Sequence, residues 1–76
     1  MSQLKELLIY RLVNKGMPPN IISSYLRSMK ICLVNKPNMS LLQANEHLQF
    51  LGWNDIELDY HTMQLAKACF ETEDVL

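Results

Sequence analysis

The stretch GWNDIELDYH, residues 52–61, decides how the second half of this chain is built. Asp55, Glu57 and Asp59 alternate over five positions, a tryptophan precedes them and His61 follows them, as in a metal-binding or catalytic loop. We interpret the stretch instead as the connector between two helices. Every residue in it except His61 then has a structural explanation.

The connector begins and ends with residues that stop and start helices. Gly52 occupies the position at which a left-handed glycine commonly ends a helix. Asp59 is predicted to cap the next helix by accepting a hydrogen bond from a backbone N–H of its first turn. Leu58 and Met63 have the spacing of a hydrophobic staple across that helix start. Together with Ile56, Leu58 is expected to point into the core, while the acidic residues face solvent.

The first half of the chain shows the 3.6-residue hydrophobic period of amphipathic helices. Four residues form the predicted buried face of the first helix: Leu4, Leu7, Leu8 and Leu12. Ser2 is its predicted cap, and Gly16 ends it. The second helix starts at Pro19 or with Asn20 as its cap, after two prolines that a helix interior does not tolerate. Five residues form its predicted buried face: Ile22, Tyr25, Leu26, Met29 and Leu33.

The third and fourth helices complete the set. Ser40 and Gln43 have the spacing of a capping box at the start of the third helix. Its predicted buried face contains four residues: Leu41, Ala44, Leu48 and Leu51. The fourth helix, after Asp59, is predicted to bury Met63, Ala66 and Phe70.

The sequence therefore predicts an all-α fold, a compact bundle of four short helices in one domain over residues 1–76. The last few residues, about 72–76, are expected to be loose. The two halves of the chain follow the same plan. In the first half, a helix is followed by Gly16-Met17, a turn and a helix that contains Tyr25. In the second half, a helix is followed by Gly52-Trp53, a turn and a helix that contains Tyr60. The bundle is thus also open to interpretation as two similar helical hairpins.

The charges divide unevenly along the chain, although the net charge is only −1. Residues 1–36 contain six basic residues and one acidic residue, whereas residues 37–76 contain one basic and seven acidic residues. Such asymmetry is expected either from halves that complement each other inside the domain or from a surface that binds a charged partner. The sequence leaves both explanations open.

Cysteine usage and hydropathy indicate a cytoplasmic protein. Cys32 and Cys69 lie far apart in helical patterns, so we expect two reduced, buried thiols. The longest apolar runs are far shorter than the roughly 20 residues that span a bilayer. Lys5, Glu6 and Arg11 interrupt any signal-peptide pattern at the N-terminus.

No catalytic or metal-binding pattern is recognisable, and we expect no enzyme, no cofactor, no metal and no small-molecule substrate. A calcium loop counted from Asp55 would require a glycine and a bidentate acid where Tyr60 and Ala66 stand. His47 and His61 lie on different predicted helices, and two glycines in all leave no glycine-rich phosphate loop.

Protein–protein binding, to another protein or to a second copy, is the function that these features favour. Tryptophan, tyrosine and methionine are enriched at interfaces, and the chain has five methionines. We expect Leu51, Trp53 and Tyr60 to form the partner-binding surface. Leu51, Gly52 and Trp53 also resemble the hydrophobic-glycine-aromatic loop of ubiquitin-associated-type three-helix modules, which implies a loop that contacts a partner.

DNA binding is the alternative. LIYRLVNKGMPPNIISSYLR, residues 8–27, resembles a helix-turn-helix, with Gly16 at the turn, although Leu12 replaces the usual small residue. The resemblance implies a recognition surface within residues 16–30. Four outward residues would then contact phosphates and base edges: Ser23, Ser24, Arg27 and Lys30.

Overall fold

The computed structural model describes residues 3–72, which form four α-helices and contain no β-strand. The helices are α1 (Gln3–Asn14), α2 (Ile22–Asn35), α3 (Leu41–Phe50) and α4 (Tyr60–Thr72). One turn of 3₁₀-helix, Pro19–Ile21, leads directly into α2. The predicted all-α bundle of four short helices is confirmed.

Two predictions fall at the ends of the chain. The predicted cap of the first helix, Ser2, lies outside the described residues. Of the segment expected to be loose, Thr72 is the last residue of α4, and residues 73–76 lie outside the described part of the chain.

The helices pack in the order α1, α4, α2, α3, because α4 contacts both α1 and α2, and α2 also contacts α3. One core receives side chains from all four helices and from the two connectors that follow α1 and α3. Its fully buried members include five large side chains: Leu8, Leu12, Tyr25, Met29 and Leu48. The most extensive contact of α1 is with α4 rather than with α2, so the two halves are not independent hairpins.

The end of α1 follows the pattern that the sequence predicts. Gly16 has a φ of +98°, a conformation that favours glycine. Its N–H donates to the carbonyl of Val13 at 3.0 Å, and the Met17 N–H donates to the carbonyl of Leu12 at 3.1 Å. These two bonds form a Schellman motif, in which Met17 folds back into the core.

The starts of α2 and α3 differ in their chemistry. Pro18 is extended and Pro19 opens the 3₁₀ turn, so helical structure begins at Pro19 as predicted, whereas α2 itself begins at Ile22. The alternative cap, Asn20, is wrong because neither this turn nor α2 receives a side-chain cap. The capping box of α3 is confirmed: Ser40 Oγ accepts from the Gln43 N–H, and Gln43 Oε1 accepts from the Ser40 N–H, each at 3.1 Å.

Two leucines that the hydrophobic period assigned to the core are exposed. Leu7 is 54% exposed because α1 packs through the side that carries Leu8 and Leu12, and Leu7 is rotated away from Leu12. Leu51 is 48% exposed because it is the residue at which α3 ends and the chain turns away. The predicted buried face of α2 is confirmed in full.

Candidate functional site

The connector over residues 52–61 starts with a second Schellman motif. Gly52 has a φ of +103°, and its N–H donates to the carbonyl of Gln49 at 2.9 Å. The Trp53 N–H donates to the carbonyl of Leu48 at 3.0 Å. The last carbonyls of α3 are thereby satisfied, which is the role predicted for Gly52.

The connector ends at a confirmed helix cap. Asp59 Oδ1 accepts a hydrogen bond from the Thr62 N–H at 2.7 Å, so Asp59 caps α4 as predicted. Its other oxygen, Oδ2, lies 2.7 Å from Lys15 Nζ at the end of α1. The hydrogen bond to Lys15, followed by that to Thr62, holds the pKa of the Asp59 carboxyl well below its usual range. This ion pair joins the basic half of the chain to the acidic half.

A second contact between α1 and α4 lies beside this cap. The Arg11 Nε donates to Thr62 Oγ1 at 3.1 Å, and Thr62 is fully buried. Two of the six basic residues of the first half are therefore engaged with the start of α4. These contacts support internal complementarity as the explanation of the charge division.

The middle of the connector is attached to α3 by one amide side chain. Asn45 Nδ2 donates to the carbonyl of Leu58 at 2.9 Å, and Asn45 Oδ1 accepts from the Leu58 N–H at 2.8 Å. Both backbone polar groups of Leu58 are thus satisfied while its side chain is buried. This role of Asn45 is not predictable from the sequence, because an asparagine inside a helix does not reveal a partner thirteen residues away.

The acidic residues of the connector alternate with apolar residues that pack on the core. Asp55 and Glu57 are exposed, whereas Ile56 and Leu58 pack on the core, as expected. Within residues 3–72 there is no group of three histidine, cysteine, aspartate or glutamate side chains that could hold a metal ion. His61 is exposed, with its ring edge-on to Tyr60 at 5.9 Å between centroids.

Trp53 is half-buried against α2. Its Nε1 donates to Ser28 Oγ at 3.2 Å, and its ring meets Tyr25 edge-to-face at 5.3 Å between centroids. Both of these contacts of the indole therefore lie on α2.

The three residues predicted to bind a partner occupy different settings. Leu51 and Tyr60 are exposed, at the end of α3 and the start of α4, whereas Trp53 is largely engaged by α2. Phe50, which the sequence analysis did not select, is 86% exposed beside Leu51. Its position one residue before Leu51 at the helix end was the available signal.

A larger apolar surface lies on α1. Its exposed residues, which we call the α1 outward face, are Gln3, Glu6, Leu7, Tyr10, Val13 and Asn14. Leu7 and Tyr10 line a shallow depression together with Gln3 and Glu6. Leu7 was assigned to the core by its period, and Tyr10 and Val13 were not selected. Their spacing of three residues was the signal for a second apolar stripe.

The residues of the DNA-binding alternative lie along one side of α2. Ser23, Ser24 and Arg27 are exposed, as that alternative requires. Lys30 is half-buried and already engaged in an interaction, so it is less available to contact DNA than the three exposed residues.

Three reactive side chains are buried: Cys32, Cys69 and Tyr25. Cys32 and Cys69 are both buried free thiols, as predicted. Cys69 lies in the core, whereas His61 is exposed. The Tyr25 hydroxyl is buried without a hydrogen-bond partner among the described residues, and burial followed by the nearby Asp59 charge raises its pKa to about 12.

Comparison with known proteins identifies no relative. No protein-family model, curated protein or solved structure matches this chain significantly. Within residues 3–72 no helix is both long enough and apolar enough to cross a membrane.

Proposed function

We propose that this protein is a small non-catalytic module, cytoplasmic as its two reduced cysteines favour, that acts by binding another protein. The observation that carries the proposal is the α1 outward face. Three of its six residues are large and apolar, and Glu6 is its only charged residue. The opposite side of α1 already packs in the core through Leu8 and Leu12. A helix that is apolar on both sides is normally covered on both sides.

The α1 outward face differs from an ordinary protein surface because its exposed apolar residues are neighbours. Leu7 is 54%, Tyr10 66% and Val13 41% exposed, and they follow one another at three-residue intervals. Single exposed leucines are common on soluble proteins, whereas contiguous apolar patches mark interaction sites. Tyrosine is also among the residues that most often dominate binding energy.

The side chains of the α1 outward face indicate what kind of partner surface would fit it. A surface with one carboxylate and three apolar side chains fits the apolar stripe of another helix better than a strongly charged partner. A second copy of this chain offers such a stripe in its own α1. Leu51 and Tyr60, with the neighbouring Phe50, remain a predicted additional contact surface.

Position-specific crosslinking in the cells that express the protein tests the proposal. A photoreactive phenylalanine analogue replaces Tyr10 on the α1 outward face, Phe50 beside the predicted partner-binding residues, or Ser23 as an exposed polar control. We expect a discrete crosslinked species from position 10 and none from position 23. Leu7→Glu, introduced together with the probe at position 10, is expected to remove the crosslinked species. The substitution should not unfold the domain, because Leu7 is exposed.

The outcomes separate the surfaces and the partners. A product at twice the chain mass identifies a second copy, and any other discrete mass identifies a different protein. A crosslink from position 50 alone would contradict the assignment to α1 and favour the surface predicted from Leu51. Equal labelling from all three positions would contradict specific binding.

DNA binding through residues 16–30 is the weaker candidate. The exposure of Ser23, Ser24 and Arg27 supports it. The same side of α2 continues into Ile31 and Val34, which are more than half exposed and are unsuited to phosphate contacts. Retention of duplex DNA at low salt that Arg27→Ala weakens would favour this alternative over protein binding.

A further inference from the structure

A small cavity between the end of α2, the following loop and α3 is lined by three different soft or borderline metal-binding groups. They are the Cys32 thiol, the Met39 thioether and the His47 imidazole. The cavity has a volume of about 110 Å³, and Asn35 and Lys36 also line it. Cys32 Sγ donates to Met39 Sδ at 3.2 Å, so the two sulfur atoms already face each other.

Thiolate and thioether sulfur together select copper in its reduced state. Soft sulfur ligands favour Cu(I), imidazole also suits copper, and carboxylates suit harder ions. We propose that Cys32, Met39 and His47 form a three-coordinate binding site for Cu(I). The proposal is independent of the protein-binding function.

The two sulfur atoms need only a small adjustment to accept the ion. Two sulfur atoms bound to one ion at about 2.3 Å in a trigonal arrangement lie about 4 Å apart. The present separation of 3.2 Å therefore has to open by about 1 Å. Met39 lies in the loop between α2 and α3 and has a flexible, unbranched side chain. His47, exposed on α3, can close the cavity from its solvent side.

The charge balance is favourable for a partly buried site. When Cu(I) binds, the Cys32 S–H bond breaks, a sulfur–copper bond forms, and the proton leaves to solvent. The thiolate and the monovalent ion cancel in charge, so no net charge is buried. Burial raises the pKa of the Cys32 thiol, and nearby Lys36 offsets only part of this rise. A divalent zinc ion would leave a net positive charge and would lack its preferred fourth ligand.

Anaerobic competition for Cu(I) against a chromogenic chelator tests the site on the full-length reduced protein. We expect the unmodified chain to retain one Cu(I) from the chelator. Cys32→Ala is expected to abolish retention. Met39→Leu and His47→Gln, at half-buried and exposed positions, are expected to weaken it by more than about tenfold. X-ray absorption of the copper complex should show two sulfur neighbours and one nitrogen neighbour.

Matched controls come from the same chain. Cys69→Ala removes the other buried thiol and Met63→Leu removes a buried thioether, and both should retain Cu(I) like the unmodified protein. Failure of the unmodified chain to retain Cu(I) would overturn the proposal, as would equal losses in the Cys32→Ala and Cys69→Ala variants. If Cys32→Ala does not fold, Met39→Leu and His47→Gln decide, because unchanged affinity in both would overturn the site.

Discussion

The two helix ends at Gly16 and Gly52 have the same local structure and lead to different connections. Each glycine has a φ near +100°, and each is followed by a hydrophobic residue whose N–H closes a Schellman motif. After Met17 the chain enters α2 within five residues, with no side-chain cap. After Trp53 it runs through an extended connector to α4, which Asp59 caps. Local sequence thus determines how a helix ends, and distant partners determine where the chain goes next.

The largest expected effects come from the residues that follow the two glycines. Met17 is buried in the core, and Trp53 packs on Tyr25 and Ser28. We expect Met17→Ala and Trp53→Ala each to lower the free energy of unfolding by about 2–4 kcal/mol. Urea denaturation followed by far-ultraviolet circular dichroism measures both.

Phe50→Ala is the matched aromatic control for Trp53, because Phe50 is almost fully exposed. It is expected to change the free energy of unfolding by less than about 0.5 kcal/mol. If Trp53→Ala is as stable as Phe50→Ala, the contacts of the indole with α2 do not hold the connector, and the comparison fails at this turn.

The next effect distinguishes the two connectors directly. Asn45 satisfies both backbone polar groups of Leu58, whereas Asn20 in the shorter connection caps nothing. We expect Asn45→Ala to lower the free energy of unfolding by about 2–3 kcal/mol, because it leaves buried backbone groups without partners. Asn20→Ala should have almost no effect in the same denaturation experiment. Similar losses in both variants would contradict this difference.

Replacing either glycine is expected to cause a smaller loss of stability, and the two losses should be equal. Neither glycine has an atom within 4 Å of the position that a Cβ would occupy, so only backbone strain opposes a side chain. Gly16→Ala and Gly52→Ala should each cost about 1–2 kcal/mol, since φ values near +100° are unfavourable for L-residues. Thermal unfolding of the two variants should show matching shifts, and a clear inequality would mean that the two turns are not equivalent.

The elements that the sequence predicted correctly depend on neighbours in the chain. Both glycine ends, the Ser40 capping box and the Asp59 cap involve residues a few positions apart. The features that it missed depend on distant partners, as in the attachment of Leu58 by Asn45 or the contact of Trp53 with α2.

The candidate surface was harder to predict than the helices for a related reason. Apolar residues on α1 recur on two sides, and a hydrophobic period does not say which side meets the core. Leu7 was therefore assigned to the interior, whereas Leu8 and Leu12 occupy it. Among the predicted partner-binding residues, Trp53 is half-buried, and only packing could show that α2 engages it.

The stabilisation that the Asp59 carboxylate gives to the fold is expected to depend on pH. Since the folded-state pKa of Asp59 lies below the ordinary aspartate pKa of 3.8, its charge stabilises the fold at pH values above 3.8. This contribution is lost as the pH falls below 3.8 toward the folded-state pKa. Asp59→Asn keeps a capping oxygen but removes the charge that pairs with Lys15. Any stability difference between the parent and Asp59→Asn should therefore decrease as the pH falls below 3.8. Chemical denaturation at pH 7 and at successively lower pH measures this difference in the free energy of unfolding. A difference that stays constant would contradict the stabilising role of the Asp59 charge.

We infer that the acidic connector over residues 52–61 is a structural element rather than a metal-binding or catalytic site. Comparing the free energies of unfolding of Asp59→Ala and Asp55→Ala, with a divalent metal or with a chelator, tests it most directly. We predict a loss of about 1 kcal/mol for Asp59→Ala, because the cap of α4 is removed, and almost none for exposed Asp55→Ala. Neither value should depend on the divalent metal. Equal large losses, or a melting temperature of the parent protein that rises with a divalent metal, would contradict the account.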